Sequence, residues 1–155
     1  MAAEQTEKEF MRPGHMGCPG CGVASTMRLV LKVLGEKTIV VIIPGCHAVI
    51  SANYPNTVLT VPCFHSAFEI AAPTAAGIAN ALKIRGEEDT TVLAIAGDGG
   101  TFDIGLQSLS GAADRNENFI YLCLDNEAYM NTGIQSSSST PEKVWTMTTP
   151  GGRLG

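Results

Sequence analysis

Three short stretches of this chain hold residue types whose spacing could do chemistry. Cys18 and Cys21 stand in "GCPGCG", separated by a proline and a glycine. A redox dithiol, half of a zinc site and part of an iron–sulfur cluster all use that spacing. Cys46 and His47 follow in "PGCH". With Cys18 and Cys21 they would complete a three-cysteine, one-histidine zinc set. The third stretch is Gly97, Asp98, Gly99 and Gly100. Glycines there let the backbone approach a phosphate, and a following helix offers its positive end. The aspartate adds a hard oxygen suited to Mg2+. Taken alone, the same four residues also make an ordinary Asp-Gly turn.

The elements that must position these residues read as a βαβ chain. "GVASTMRLVLKVLG" places Val23, Met27, Val30, Leu31 and Leu34 on one helical stripe, with Gly35 as terminator. "TIVVII" (38–43) is a continuous aliphatic run, suited to a strand covered on both faces. A second helical stretch over 66–84 is rich in Ala and Gly, and its Pro73 should bend or split it. "TVLAIA" (91–96), a helix over about 103–115 and "FIYLCLD" (119–125) complete the pattern. The fold class is therefore α/β, an open and mainly parallel sheet with helices on both faces. Ligands bind beyond the carboxyl ends of such strands. Here those ends run into "PGCH", "GDGG" and "NEAYMNTG". The Ser/Thr/Gly-rich stretch from Asn131, including "SSSSTP", reads as flexible loop.

Bulk properties narrow the class. The chain has 155 residues, the size of one domain, and a net charge of -5. That charge argues against nonspecific nucleic-acid binding, which requires Lys and Arg on phosphates. No apolar run is long enough to span a bilayer. Five cysteines without a leader favour thiols, metal ligation or catalysis in the cytoplasm over a disulfide framework. A dithiol of the thioredoxin kind normally follows a strand, whereas only a polar arm precedes Cys18. Cys63 and Cys123 read as small hydrophobes, and His15 and His65 as structural histidines.

Asn126 stands 28 positions beyond Asp98, directly after the next strand. Glycine-aspartate-glycine followed by such an asparagine resembles the thiamine diphosphate (TPP) fingerprint. "GDGGTFDIGLQSLSGA", "DNEAYMNTGIQ" and "GCPGCG" together resemble the β subunit of the 2-oxoacid:ferredoxin oxidoreductases, pyruvate-specific branch, over nearly the whole chain. The resemblance implies Mg2+ held by Asp98, Asn126 and the carbonyl of Ala128. It also implies a TPP site lined by Cys46, Gly97, Asp98, Gly99, Gly100, Asn126, Glu127, Ala128, Tyr129, Met130 and Asn131, with Asn131 catalytic and facing substrate. Cys18, Cys21 and Cys46 would ligate a [4Fe–4S] cluster. His47 departs from the leucine the family implies there. The implied reaction is oxidative decarboxylation of pyruvate, with coenzyme A taking the acyl group and ferredoxin the electrons.

Further expectations follow from the same resemblance. Residues 1–155 form one TPP-diphosphate-binding domain, with the cluster-ligand segment at about 14–46. The chain is inactive without an α-type subunit carrying the pyrimidine domain and ferredoxin-like subunits, in a hetero-oligomer. Only three cysteines match the cluster pattern, so the fourth ligand lies elsewhere and the unit is incomplete. Alone it should expose apolar surface and aggregate. Alternatives are a relative acting on 2-oxoisovalerate, phenylglyoxylate or oxalate, a non-oxidative TPP enzyme, or a zinc-stabilised binding module.

Overall fold

The computed structural model describes residues 8–154. Helix α1 (Gly22–Leu34) buries Ala24, Met27 and Leu31, with Val23, Val30 and Leu34 partly buried beside them. It stops at Gly35, whose φ of 81° lies where a side chain would be strained. The Gly35 N–H still donates to Leu31 O at 2.9 Å. Four strands follow: β1 (Thr38–Ile42), β2 (Cys63–His65), β3 (Thr91–Gly97) and β4 (Ile120–Leu124). They form one sheet in the order β2-β1-β3-β4, every pairing parallel.

Alternation within the aliphatic runs explains the two faces. Val40, Ile42, Leu93 and Ile95 point into the core shared with α1. Val41, Ile43, Val92, Ala94 and Ala96 point the other way, onto helix α3 (Ala71–Arg85). Each strand thus feeds two cores, as an uninterrupted apolar run requires. On α3, Ala71, Ala72, Ala75 and Ala76 are buried, so small side chains let the helix lie close to the sheet. Helix α4 (Leu106–Asp114) packs beside α3.

Four sequence expectations need correction. Pro73 neither bends nor splits a helix. It is the third residue of α3, in the first turn, where its missing N–H has no helical partner to lose. Residues 66–70 stay outside the helix, and just before them Cys63–His65 form β2, a three-residue edge strand too short to show a pattern. The helix expected over 103–115 begins earlier and in two parts. A π-helical turn over Gly99–Asp103, closed by Ile104 N–H to Gly99 O at 3.2 Å, precedes α4. Finally, the serine-rich stretch is built into the site. Ser137, Thr140 and Thr146 are buried.

Candidate functional site

Strand register brings the chemistry together. Ile42 pairs with Ile95, and Gly97 pairs with Leu124. Asp98 therefore leaves β3 beside the point where Asn126 leaves β4, and Cys46 opens the short helix α2 (Cys46–Ser51) after β1. Between these strand ends lies a cavity of about 340 Å3. Its walls include Cys46, Gly97, Asp98, Gly99, Gly100, Asn126, Ala128, Tyr129, Met130 and Asn131. Of the residues that the resemblance places at the cofactor, Glu127 alone is not on that wall. It contributes backbone: its φ is 64°, its N–H donates to Asp125 Oδ1 at 2.9 Å, and its carbonyl accepts Thr140 Oγ1 at 2.5 Å.

The glycines are required by contact. A Cβ on Gly99 would lie 2.2 Å from the Tyr129 ring, and one on Gly100 would lie 2.3 Å from Ile43 Cδ1. Tyr129 is fixed across the cavity by its hydroxyl, which donates to Asp103 Oδ2 at 2.6 Å, and by Phe68 at a ring separation of 6.1 Å. Burial and the neighbouring Asp103 push the Tyr129 phenol up to about 12. Its proton is held at neutral pH.

Oxygen atoms converge on one wall. One atom of the Asn126 side-chain amide lies 3.3 Å from Asp98 Oδ1 and 2.7 Å from Ala128 O. With nitrogen there, the amide donates to both. With oxygen there, three oxygens face one another, and a cation would resolve their repulsion. Adjacent oxygens around octahedral Mg2+ are about 3 Å apart, which these separations bracket. In that second orientation the amide nitrogen is left for the Cys46 thiol, which Asn126 also reaches. The residues fit Mg2+. Burial raises the Asp98 carboxyl above its ordinary value, with the Ser137 hydroxyl acting against it. A cation supplies the charge that this buried carboxylate otherwise lacks.

The cysteines divide as their burial dictates. Cys18 is exposed, while Cys21 and Cys46 are half-buried. Burial raises the Cys46 thiol, and charge on Cys21 and Cys18 raises it further, so the three sulfurs share one neighbourhood. Among the described residues, no three His, Cys, Asp or Glu side chains close on a point as ligands of a single ion would. This is a correction to the zinc set. His47 turns into the fold, 2% exposed, with Nε2 unpaired and the ring held by Ile43. Burial brings His47 down to about 4. A four-iron cubane spreads its thiolates wider than one ion does, so three nearby but unclosed cysteines remain compatible with it. Cys63 packs against the α1-side core, and burial alone pushes it up to about 11. His15 Nδ1 accepts Gly17 N–H at 3.1 Å, and neither His15 nor His65 reaches the cavity.

Phe68 also lines the cavity, and nothing in its sequence context marked it, whereas Leu124 and Thr132 line it from β4 and from the "NEAYMNTG" loop. The serine-rich stretch is the larger omission. Ser137 Oγ donates to Asp98 Oδ2, Ser138 Oγ to Asp103 Oδ1, and Ser139 Oγ to Asp125 Oδ1, the last at 2.6 Å. Five consecutive hydroxyl side chains, Ser136 to Thr140, were a signal of local hydrogen bonding, though not of its targets.

Comparison with known proteins agrees with this geometry. Residues 44–153 match the family described as thiamine pyrophosphate enzyme, C-terminal TPP binding domain. Pyruvate synthase subunit PorB of Methanothermobacter thermautotrophicus is 56% identical over 95% of this chain and 51% of its own length. Ketoisovalerate oxidoreductase subunit VorB of Pyrococcus furiosus is 48% identical over 94% of this chain and 49% of its own. A 2-oxoglutarate:ferredoxin oxidoreductase from Magnetococcus marinus superposes with a TM-score of 0.77 at 25% identity, over 92% of this chain and 48% of that one. The chain thus spans about half the length of these relatives. On the match from residue 44 to 153, with the cavity at the strand ends it encloses, the chain belongs to the thiamine pyrophosphate enzyme family and carries its C-terminal TPP-binding domain.

Proposed function

We propose that this chain is the diphosphate-binding, cluster-bearing part of a 2-oxoacid:ferredoxin oxidoreductase, with pyruvate as the 2-oxoacid and coenzyme A as acyl acceptor. The observation that carries it is the convergence of Asp98, Asn126 and Ala128 oxygens in a cavity that Cys46 also lines. Residues 1–155 then form one domain, with the cluster-ligand segment at about 14–46.

TPP, when bound, supplies the electron sink for loss of CO2 from a 2-oxoacid. The chain's own residues bind and orient it. Asp98, Asn126 and the Ala128 carbonyl would hold Mg2+, which would supply positive charge for a diphosphate, while Gly99 and Gly100 let the backbone approach. Tyr129, Met130 and Phe68 cover the apolar side and exclude water. Asn131, exposed on the cavity wall, offers its amide to the substrate. Cys18, Cys21 and Cys46 would hold a [4Fe–4S] cluster, which would supply one-electron chemistry towards ferredoxin. The fourth thiolate comes from outside these residues. Cys63 stands on β2, off the cavity wall that Cys46 lines. Phe102, Ile104 and Met130 are each about half-exposed near the cavity, a surface suited to the α-type subunit.

PorB and VorB relatives from Pyrococcus furiosus are both 48% identical to this chain, so 2-oxoisovalerate is the second reading. The experiment is electron paramagnetic resonance on the anaerobically purified assembly, with and without pyruvate and coenzyme A. A reduced four-iron signal that appears only with both substrates is expected. Zinc in place of iron, or no iron at all, would overturn the cluster reading. A signal elicited by 2-oxoisovalerate and not by pyruvate would move the substrate.

A further inference from the structure

Asp98 presents its two oxygens to different partners. Oδ1 faces the Asn126 amide, which also reaches the Ala128 carbonyl, whereas Oδ2 takes the Ser137 hydroxyl. Ser137 is 4% exposed and Asp98 3%, so water does not compete for either. The hydroxyl lies 3.5 Å from Thr140 Oγ1 and much closer to Asp98 Oδ2, so the carboxylate is its stronger acceptor. The hydroxyl oxygen already accepts Ser139 N–H at 3.3 Å, which directs the proton to Asp98.

The loop that carries Ser137 is itself fastened. Ser137 N–H donates to Thr140 Oγ1 at 2.9 Å, and Thr140 N–H to Ser137 O at 3.1 Å. Arg153 Nη1 donates to the carbonyls of Ser137, Ser138 and Thr140, the first two at 2.9 and 3.0 Å. Ser138 and Ser139 tie the same loop to Asp103 and Asp125. One guanidinium therefore holds a strap that reaches the end of β3, the π-helical turn and the end of β4.

We infer that Ser137 is a positioning residue that limits Asp98 to one metal-facing oxygen, and that the Arg153-fastened strap thereby sets the preference for Mg2+ over Ca2+. The physical reason is denticity. Mg2+ requires near-octahedral geometry with short bonds, whereas Ca2+ accepts more ligands, longer bonds and bidentate carboxylates. A carboxylate at a glycine-flanked turn could swing to bite an ion with both oxygens. Ser137 occupies the second oxygen and prevents this. Such outer partners of metal ligands commonly matter by about 10- to 100-fold in affinity.

The inference rests on the reading that Asp98, Asn126 and Ala128 hold the diphosphate-bound cation. Calorimetric titration of Mg2+ and Ca2+ into the complete assembly, with TPP present, tests both separately. Wild type should bind Mg2+ more tightly than Ca2+, and D98A should lose both ions. S137A should still bind, with the Mg2+-to-Ca2+ affinity ratio lowered about tenfold. S137T, which keeps a hydroxyl, should restore the ratio, and R153Q should lower it as S137A does. A ratio in S137A equal to wild type, with D98A still inactive in binding, would overturn the inference and leave the reading intact. No TPP-dependent cation binding in wild type would overturn the reading, and the inference with it.

Discussion

At the scale of single residues, burial sorts the five thiols by reactivity. Cys18 is exposed, whereas burial holds Cys63 up at about 11. At pH 8 a thiol with that value is ionised at roughly one part in a thousand, and the thiolate is the nucleophile. In metal-free protein, iodoacetamide followed by mass mapping should therefore label Cys18 early and leave Cys63 unmodified. Equal labelling would show that Cys63 is accessible and restore it as a cluster ligand. Asp98 and Asn126 were legible in the sequence through their resemblance to the TPP fingerprint, with one βαβ unit to bring their strand ends together. His47 was not, since a buried imidazole with one unpaired nitrogen leaves no pattern in neighbouring residues.

Among the elements, what could be read depended on length and repetition. The aliphatic runs of β1 and β3 announced a two-faced sheet, but β2 has only three residues, too few for any periodicity. The π-helical turn was hidden for another reason. It depends on a close local approach of backbone to Gly105, where a Cβ would lie 1.9 Å from Gly100 O. G105A should cost about 3 kcal/mol in urea denaturation, because the obstruction is backbone and cannot rotate away. Gly77 is the contrasting case, exposed in mid-α3 with nothing near its would-be Cβ. G77A should stabilise by up to about 1 kcal/mol, from helix propensity alone. If both variants match wild type, the packing at the π turn is wrong.

The arm over 8–14 meets the α1 side through buried Phe10 and Met11 and pairs with the helix through one carboxylate. Glu9 accepts Arg28 Nε at 2.7 Å and pairs with Lys32, and those hydrogen bonds bring its carboxyl down to about 2. Because the folded value lies below the ordinary 4.5, the contribution is complete above pH 4.5 and fades as pH falls through 2. Wild type should thus exceed E9Q in thermal stability at pH 6, with the gap closing towards pH 2. High salt should narrow it as well, since these are surface pairs. A gap that widens on acidification would contradict the pairing.

For the whole molecule, the sheet register decides function, because it gathers residues 46, 98 and 126 from three strand ends into one cavity. The chain spans about half of its relatives, and the large exposed apolar side chains Trp145 and Met147 lie on the same C-terminal segment as the strap. The most direct test of the central claim is calorimetric titration of TPP into the assembly containing this chain, with Mg2+ or with EDTA. Binding should require Mg2+, and D98A should abolish it while the protein still unfolds in one cooperative thermal transition, since the apolar core is left in place. TPP binding of equal affinity in EDTA, or in D98A, would contradict the account.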